Sequence, residues 1–415
     1  MSGNEEQTPR VPRKFRPEPF GYHEIVELDI ETLTNMGQGL GRINDWVVMV
    51  RFALPGERVK ARVYRNDKNF SEADLVEVLT PSPERIEAPC PVFTECGGCQ
   101  YQHFEYSAQL EWKTRQVKEL LWHMVRVEHP VLPAIASPKL YGYRSKLTPH
   151  FQLPRGDNPM TIGFLKAGTR SRYVEVEHCP LISDEMNETL TRVRAKTRAR
   201  HQEKPFKKGG TLLIREHLDG VSTDPKQTIR EKVGDITFSF IAGEFFQNNP
   251  SILPAFTGYV RNKAREAGAK YLVDAYCGSG LFTLTAAQDF EQVVGVEVSE
   301  QSIEYAQKNA ADNQIENASF VLGDAASIFE HIQFEGSDSA VVIDPPRKGS
   351  SEDFLNQLID FGPRSVVYVS CNPATQMRDL KVLLEGGYAI DEIQPFDLFP
   401  QTRHLECVVV LKKQD

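Results

Sequence analysis

The sequence predicts an α/β architecture: a doubly wound, Rossmann-like C-terminal domain, preceded by an N-terminal β-barrel and a central α+β region. Three observations carry that prediction. From about residue 245 onward, β-branched runs alternate with helical stretches, which is the pattern of a parallel sheet with crossover helices. Between Tyr22 and Pro81, short β-rich runs are punctuated by glycine-rich and asparagine-rich turns, which suits a small barrel. The ends of five C-terminal runs each carry a polar or glycine-rich feature, and the carboxyl edge of an open α/β sheet is where ligands bind.

Composition sets the bounds. A chain of 415 residues with 40% hydrophobic and 25% charged content suits two or three globular domains. No apolar run approaches the roughly 18 residues of a membrane span, so no membrane partner is expected. Residues 1–21 read as a disordered basic arm with Arg10, Arg13, Lys14 and Arg16, lacking the apolar core of a signal peptide. A cytoplasmic monomer is the expectation. Seven cysteines are an odd count for a reducing compartment and point to metal ligation or catalysis rather than disulfides. The net charge of −9 hides an asymmetry, since residues 251–415 hold 13 Lys/Arg against 24 Asp/Glu and the remainder holds 35 against 33. A polyanion would therefore dock on the N-terminal part.

In residues 22–81 the strands are expected at Ile25–Ile30, Trp46–Phe52, Glu57–Tyr64 and Asp74–Leu79, with Gly37, Gly39 and Gly41 in a tight loop. Arg51, Arg58, Lys60, Arg62, Arg65 and Lys68 form a possible phosphate track, and solvated barrel charge is the competing account. Residues 82–245 form the central region. It opens with Cys90, Cys96 and Cys99, where Gly97 and Gly98 let the backbone wrap closely. Cys179, followed by proline as Cys90 is, makes the best fourth ligand. Zinc favours close cysteine pairs, so a three-plus-one spacing leans to an iron–sulfur cluster, with zinc and unligated thiols as the alternatives. A helix is expected over Ser107–Val127. Tyr141-Gly142-Tyr143-Arg144-Ser145-Lys146 can stack bases and neutralise phosphate, or be a strand with one wet face. Ser183 caps a second helix that ends in Arg192, Arg194, Lys196, Arg198, Arg200, Lys204, Lys207 and Lys208. Dipole matching explains a few of those charges, and RNA contact explains the set better.

Residues 246–415 form the last domain, with strands expected at Tyr271–Tyr276, Val293–Val298, Ser319–Leu322, Ala340–Ile343, Val366–Val369 and Glu406–Leu411. Gly278-Ser279-Gly280 follows the first strand and lets a ligand approach the backbone, while Glu297 ends the second and can accept from ribose hydroxyls. Thr283 stands where a dinucleotide fingerprint has its third glycine, and Asp274 is unhelpful to a phosphate. S-adenosylmethionine therefore fits better than a nicotinamide, with Asp324 facing the adenine amino group. Asp344-Pro345-Pro346-Arg347 sets a carboxylate beside the methyl donor. Cys371 arrives at the end of a buried strand that Pro373 terminates. A lone cysteine there is often structural. As a nucleophile, it would add to carbon 6 of a pyrimidine and make carbon 5 reactive. A base must then take the carbon 5 proton, and Glu406 is the available carboxylate; a surface glutamate is its bland alternative.

In combination, the four cysteines, Phe246-Gln247-Asn248, Asp274-x-Tyr276-Cys277-Gly278-x-Gly280, Asp344-Pro345-Pro346-Arg347, Ser370-Cys371-Asn372-Pro373 and His404-x-Glu406 resemble the RNA uracil-5-methyltransferase family over nearly the whole chain. The resemblance implies a TRAM barrel at residues 22–81, Cys371 as nucleophile and Glu406 as base. It also implies that Gln247, Tyr276, Gly278, Gly280, Glu297, Asp324 and Asp344 line the S-adenosylmethionine and uracil sites. Cys90, Cys96, Cys99 and Cys179 would hold a [4Fe-4S] cluster. Many members have Asn after the second glycine of the loop, where this chain has Leu281, so that contact is not carried over. The expected activity is methylation of a specific uridine in rRNA or tRNA, its base unstacked to reach the crevice. A cytosine or exocyclic-amine methyltransferase and a catalytically inert iron–sulfur RNA-binding protein are the alternatives.

Overall fold

A computed structural model describes residues 11–154, 156, 159–323, 328–329 and 331–414, which divide into two compact units. The first comprises residues up to Thr94 with Cys99–Trp112 and Gln401–Arg403; the second comprises Glu95–Gly98, Lys113–Pro400 and His404–Asp415.

In the first unit, β1 (Ile25–Asp29), β2 (Thr32–Leu33), β3 (Gln38–Ile43), β4 (Trp46–Arg51), β5 (Arg58–Asn66) and β6 (Phe70–Thr80) form one six-stranded sheet in the order β1-β5-β6-β4-β3-β2. All pairs are antiparallel except β4 with β6. The apolar residues of β5 alternate inward, so Val59, Ala61 and Val63 are fully buried against Val26, Val48, Val50 and Ala73. The glycine run read as a loop is mostly strand. Only Gly37 has a left-handed backbone, while Gly39 and Gly41 lie in β3. A Cβ on Gly41 would sit 2.1 Å from the Asp29 carbonyl oxygen, so these glycines serve close backbone approach rather than turning.

The outward row of β5 carries Arg58, Lys60, Arg62 and Arg65 of the expected basic track, with Arg51 on β4 and Lys68 beyond β5, and most of the track is paired off. Arg58 faces Glu27 at 3.6 Å and Asp29 at 3.5 Å, Lys60 faces Glu77 at 3.1 Å, and Arg65 faces Glu72 at 3.2 Å. Arg51 and Arg62 both reach Asp74. Of that track, Lys68 alone has no ion pair among the described residues.

α1 (Tyr106–Leu120) is shorter than the expected helix: it passes into a π-turn over Leu121–Val125, which Arg126 ends in a left-handed conformation. The second unit then builds two small sheets from β7 (Lys146–Leu147), β8 (His150–Gln152), β9 (Thr161–Leu165), β10 (Tyr173–Glu175), β11 (Gly210–Thr211), β12 (Ile214–His217) and β13 (Gly220–Ser222). Between them runs α2 (Asp184–Glu203), whose cap is Ser183 accepting from the Met186 N–H at 3.3 Å. Part of its basic set works internally. Arg194 is only 6% exposed and, like Arg198, donates to Glu175. Tyr143 is likewise buried, with its hydroxyl donating to the Pro400 carbonyl, so its ring is not open to a base.

A hairpin of β14 (Thr228–Val233) and β15 (Ile236–Ile241) leads into the doubly wound domain: α3 (Leu253–Glu266), β16 (Tyr271–Ala275), α4 (Leu281–Ala286), β17 (Gln292–Glu297), α5 (Glu300–Asp312), β18 (Ala318–Leu322), β19 (Ser339–Ile343), α6 (Glu352–Phe361), β20 (Ser365–Ser370), α7 (Pro373–Glu385), β21 (Tyr388–Phe396) and β22 (Glu406–Lys413). The seven strands are ordered β18-β17-β16-β19-β20-β22-β21, parallel except for β22, which is inserted antiparallel between β20 and β21. Successive residues of β19 and β20 go to opposite faces: Val342 and Val367 to one helix layer, Val341 and Val366 to the other. Each fully buried valine stabilises by about 1.5–3 kcal/mol. β21 was not expected, because Asp391, Glu392 and Pro395 break its pattern; it is the edge strand and bulges between Ile390 and Glu392. Among the described residues no helix is long and apolar enough to cross a membrane.

Candidate active site

Register brings the candidate residues together. Ile343 of β19 pairs with Tyr368 of β20, so Asp344 leaves its strand beside the end of β20. Ser370 pairs with Cys407 of antiparallel β22, so Cys371 and Glu406 stand at the same edge on adjacent strands. Three neighbouring strands thus deliver a carboxylate, a thiol and a second carboxylate to one crevice.

The loop holding Asp344 is fastened from below. The buried Asp379 carboxylate accepts from the Ser350 N–H at 2.7 Å and from the Tyr368 hydroxyl at 2.6 Å. Asn372 and Thr375 donate to the Arg347 carbonyl at 3.0 and 3.1 Å, tying that loop to the start of α7. Gln376 bridges the carbonyls of Tyr368 and Cys407, joining β20 to β22 just beneath the thiol. Here backbone groups are satisfied by side chains, which fixes the loops without a ladder.

Electrostatically the crevice is strained. Burial, then the charges of Glu406 and Asp344, push the Cys371 thiol up to about 11, while Arg347, which hydrogen-bonds it, pulls it down. Burial and the Asp344 charge raise Glu406 well above the usual carboxylate range, against Arg347. Burial raises Asp344 as well. Two carboxylates and a thiolate cannot all be charged here, so the crevice holds protons that a reaction can move. Glu406 is buried at 3% exposure, which removes the surface-glutamate alternative; Cys371 is half-buried, as an accessible thiol must be.

The neighbouring loop is shaped for a ligand. Tyr276, Gly278 and Gly280 all have left-handed backbones, and a Cβ on Gly278 would meet nothing within 4 Å, leaving the backbone open to close approach. Glu297 accepts from the N–H groups of Gly278 at 3.1 Å, Val298 at 2.8 Å and Ser299 at 3.0 Å, which holds its carboxylate against the loop. Asp274 accepts from both the N–H and the hydroxyl of Thr283, at 2.8 and 2.6 Å, so an N–H in the first turn of α4 that could meet a phosphate is already taken by a buried carboxylate. The loop therefore suits S-adenosylmethionine and not a dinucleotide. Gln247 is buried, with Phe246 stacked on Phe240 on one side and Asn248 bonded to Arg215 on the other. Asp324 lies outside the described residues. Cys277 and Cys407 are buried in the core.

The cysteine set gives a different result. Cys90, Cys96, Cys99 and Cys179 are half-buried and outside any disulfide, but among the described residues no group of three or more His, Cys, Asp or Glu is arranged to hold a metal ion. The [4Fe-4S] cluster expected on these four cysteines is therefore not shown by the described residues; thiol ligands must deprotonate to bind a metal.

Two features went unread in the sequence. Arg347 acquires a partner only when folding brings it to Cys371, and nothing in chain order says which thiol a guanidinium will meet. Phe245 is 73% exposed immediately before buried Phe246 and Gln247, a difference that two adjacent phenylalanines do not announce.

Comparison with known proteins decides the class. Residues 223–414 match the model of the tRNA (Uracil-5-)-methyltransferase family and residues 23–76 match the TRAM domain. The tRNA (uracil(54)-C(5))-methyltransferase of Schizosaccharomyces pombe is 42% identical, over 95% of this chain and 79% of that protein. The chain belongs to the tRNA (uracil-5-)-methyltransferase family. As a member it is an S-adenosylmethionine-dependent RNA methyltransferase. The enzyme of the same description from Saccharomyces cerevisiae is 33% identical, over 94% of this chain and 74% of that protein. The crystal structure of Pyrococcus abyssi tRNA (uracil-54, C5)-methyltransferase in complex with S-adenosyl-L-homocysteine aligns with a TM-score of 0.72 at 25% identity, covering 93% of this chain and 99% of that one.

Proposed function

We propose that this enzyme methylates carbon 5 of a uridine in tRNA, the position-54 uridine named for its relatives, by covalent catalysis. The observation that supports the mechanism is the delivery of Cys371, Glu406 and Asp344 on three adjacent strand ends beside Arg347. S-adenosylmethionine would be held by Tyr276, Gly278, Gly280 and Glu297, with Gln247, Asp324 and Asp344 completing the cofactor and uracil sites, and would supply the methyl group and leave as S-adenosylhomocysteine. The Cys371 thiol gives up its proton to solvent, the resulting thiolate adds to carbon 6 of the uracil, and the electron pair displaced from the 5,6 double bond makes carbon 5 nucleophilic. Arg347 stabilises the thiolate. After carbon 5 has gained its methyl group, Glu406 takes the proton from that carbon; the double bond reforms and the carbon–sulfur bond breaks, releasing the thiolate. Exposed Phe245 offers a face on which an unstacked base can rest.

Incubation of unmodified tRNA and rRNA with purified protein and methyl-labelled S-adenosylmethionine, followed by nucleoside mass spectrometry, tests this. Label in 5-methyluridine of tRNA is the expected result. Label in cytidine or adenosine, or only in rRNA, overturns it.

The [4Fe-4S] cluster on Cys90, Cys96, Cys99 and Cys179 is a separate proposal supported by the spacing of the thiols and by family resemblance. No step above depends on it. Iron and acid-labile sulfide in cluster stoichiometry after anaerobic purification, both lost on changing these cysteines to serine, would support it. Absence of both from active enzyme would remove it.

A further inference from the structure

Glu406 opens β22, and its cross-strand partner is Phe396, the last residue of β21. The next residue, Asp397, is fully buried and ion-paired with Lys113 of α1 at 2.6 Å, both side chains being 0% exposed. The pair sits in an organised segment. Asp397 donates its N–H to the Ile135 carbonyl at 2.9 Å and accepts from the Phe399 N–H at 3.2 Å. The following three carbonyls are taken by side chains: Leu398 by Asn249 at 2.9 Å, Phe399 by Lys113 at 3.3 Å and Pro400 by Tyr143 at 3.0 Å. Lys113 is thus both counter-ion and donor to the segment that follows Glu406's partner.

Stability does not account for such a pair. Two buried charges pay heavily for leaving water, and apolar replacements are often neutral or stabilising. Asp397 even keeps one oxygen, Oδ2, buried with no hydrogen-bond partner among the described residues. What a buried pair supplies that apolar packing does not is a single allowed position. We propose that Lys113 and Asp397 are positioning residues for Glu406: they lock the end of β21, and through its pairing with β22 they hold the Glu406 carboxylate over carbon 5 of the bound base. This rests on the base role proposed above.

The step at stake is release, because proton removal from carbon 5 frees the enzyme from RNA. In single-turnover reactions with tRNA, methyl transfer and the covalent protein–RNA adduct are followed together on denaturing gels. Glu406→Gln is the control, expected to transfer methyl and accumulate adduct. Lys113→Met and Asp397→Asn are each expected to transfer methyl at close to the normal rate and resolve the adduct at least about tenfold more slowly, since an ångström of misplacement costs about 100-fold. Adding Lys113→Met to Glu406→Gln is expected to slow resolution no further. Unchanged S-adenosylmethionine affinity by calorimetry reports an intact fold; should Lys113→Met lose it, Asp397→Asn, which keeps the side-chain shape, decides. Adduct in Glu406→Gln but normal resolution, or equal slowing of both steps, in the pair variants overturns the positioning role alone. No adduct in Glu406→Gln overturns the base role and this proposal with it.

Discussion

Strand β5 and the carboxyl edge of the seven-stranded sheet both gather charge, and they treat it in opposite ways. On β5, Arg58, Lys60, Arg62 and Arg65 each face a carboxylate on a neighbouring strand or turn, and all lie at the surface. At the sheet edge, Cys371 and Glu406 both feel the Arg347 guanidinium, and burial raises these two groups and Asp344 beside them. Exposed pairs are worth about 0–1 kcal/mol each and change little that a solvated surface would not. Crowded acids of one sign in a low-dielectric crevice must instead keep protons, and groups that hold protons reluctantly can pass them on. A basic row in a sequence is thus a weaker sign of function than a few acids forced together.

That contrast can be broken. Cys371→Ala is expected to reduce methylation to background in a labelled-methyl assay while leaving RNA binding near normal; retained turnover would show that the crevice works without its nucleophile. Glu406→Gln is expected to slow turnover by about 10²–10⁴-fold, the usual range for a lost general base. Arg347→Gln removes the group that pulls the Cys371 thiol down. A charge-assisted hydrogen bond is worth about 1.5–3 kcal/mol, so losing it should raise the thiol further. Because the thiolate reacts, the rate climbs with pH, and the variant's rising limb moves to higher pH; an unmoved limb would separate Arg347 from the thiol. Gly41→Ala in β3 is expected to cost about 1–3 kcal/mol in chemical denaturation, since its Cβ would overlap the Asp29 carbonyl. The smallest effect belongs to the paired row. Arg58→Gln should change stability by under about 1 kcal/mol and leave the salt dependence of RNA affinity unaltered. A slope reduced by about one would return β5 to the RNA-binding surface.

The parallel strands were legible because β-branched runs buried on both faces have a local signature, and so was the sheet edge, because strand ends follow from strand positions. Ser183 announced its helix cap for the same reason. What failed was non-local. Gly39 and Gly41 look like turn residues until the Ala53 and Asp29 carbonyls are set against them. β21 is hidden by Asp391 and Glu392, whose acceptability depends on an edge position that sequence order does not reveal. The partners of Arg347, Arg194 and Lys113 lie 17 to 284 residues away or arrive through sheet register, so the motif, the basic helix and α1 each concealed an ion pair or a hydrogen bond.

The reversed direction of β22 also orders events in time. Because β22 runs antiparallel, its first residue, not its last, reaches the working edge, and it fills the place between β20 and β21. During synthesis the nucleophile's strand and its loop emerge well before the proposed base. A nascent chain can therefore present the thiol early yet lacks the group that would let it disengage from RNA. Until β22 inserts, β20 is also an open edge, so premature capture of substrate and strand-edge aggregation share one remedy: rapid docking of the final hairpin.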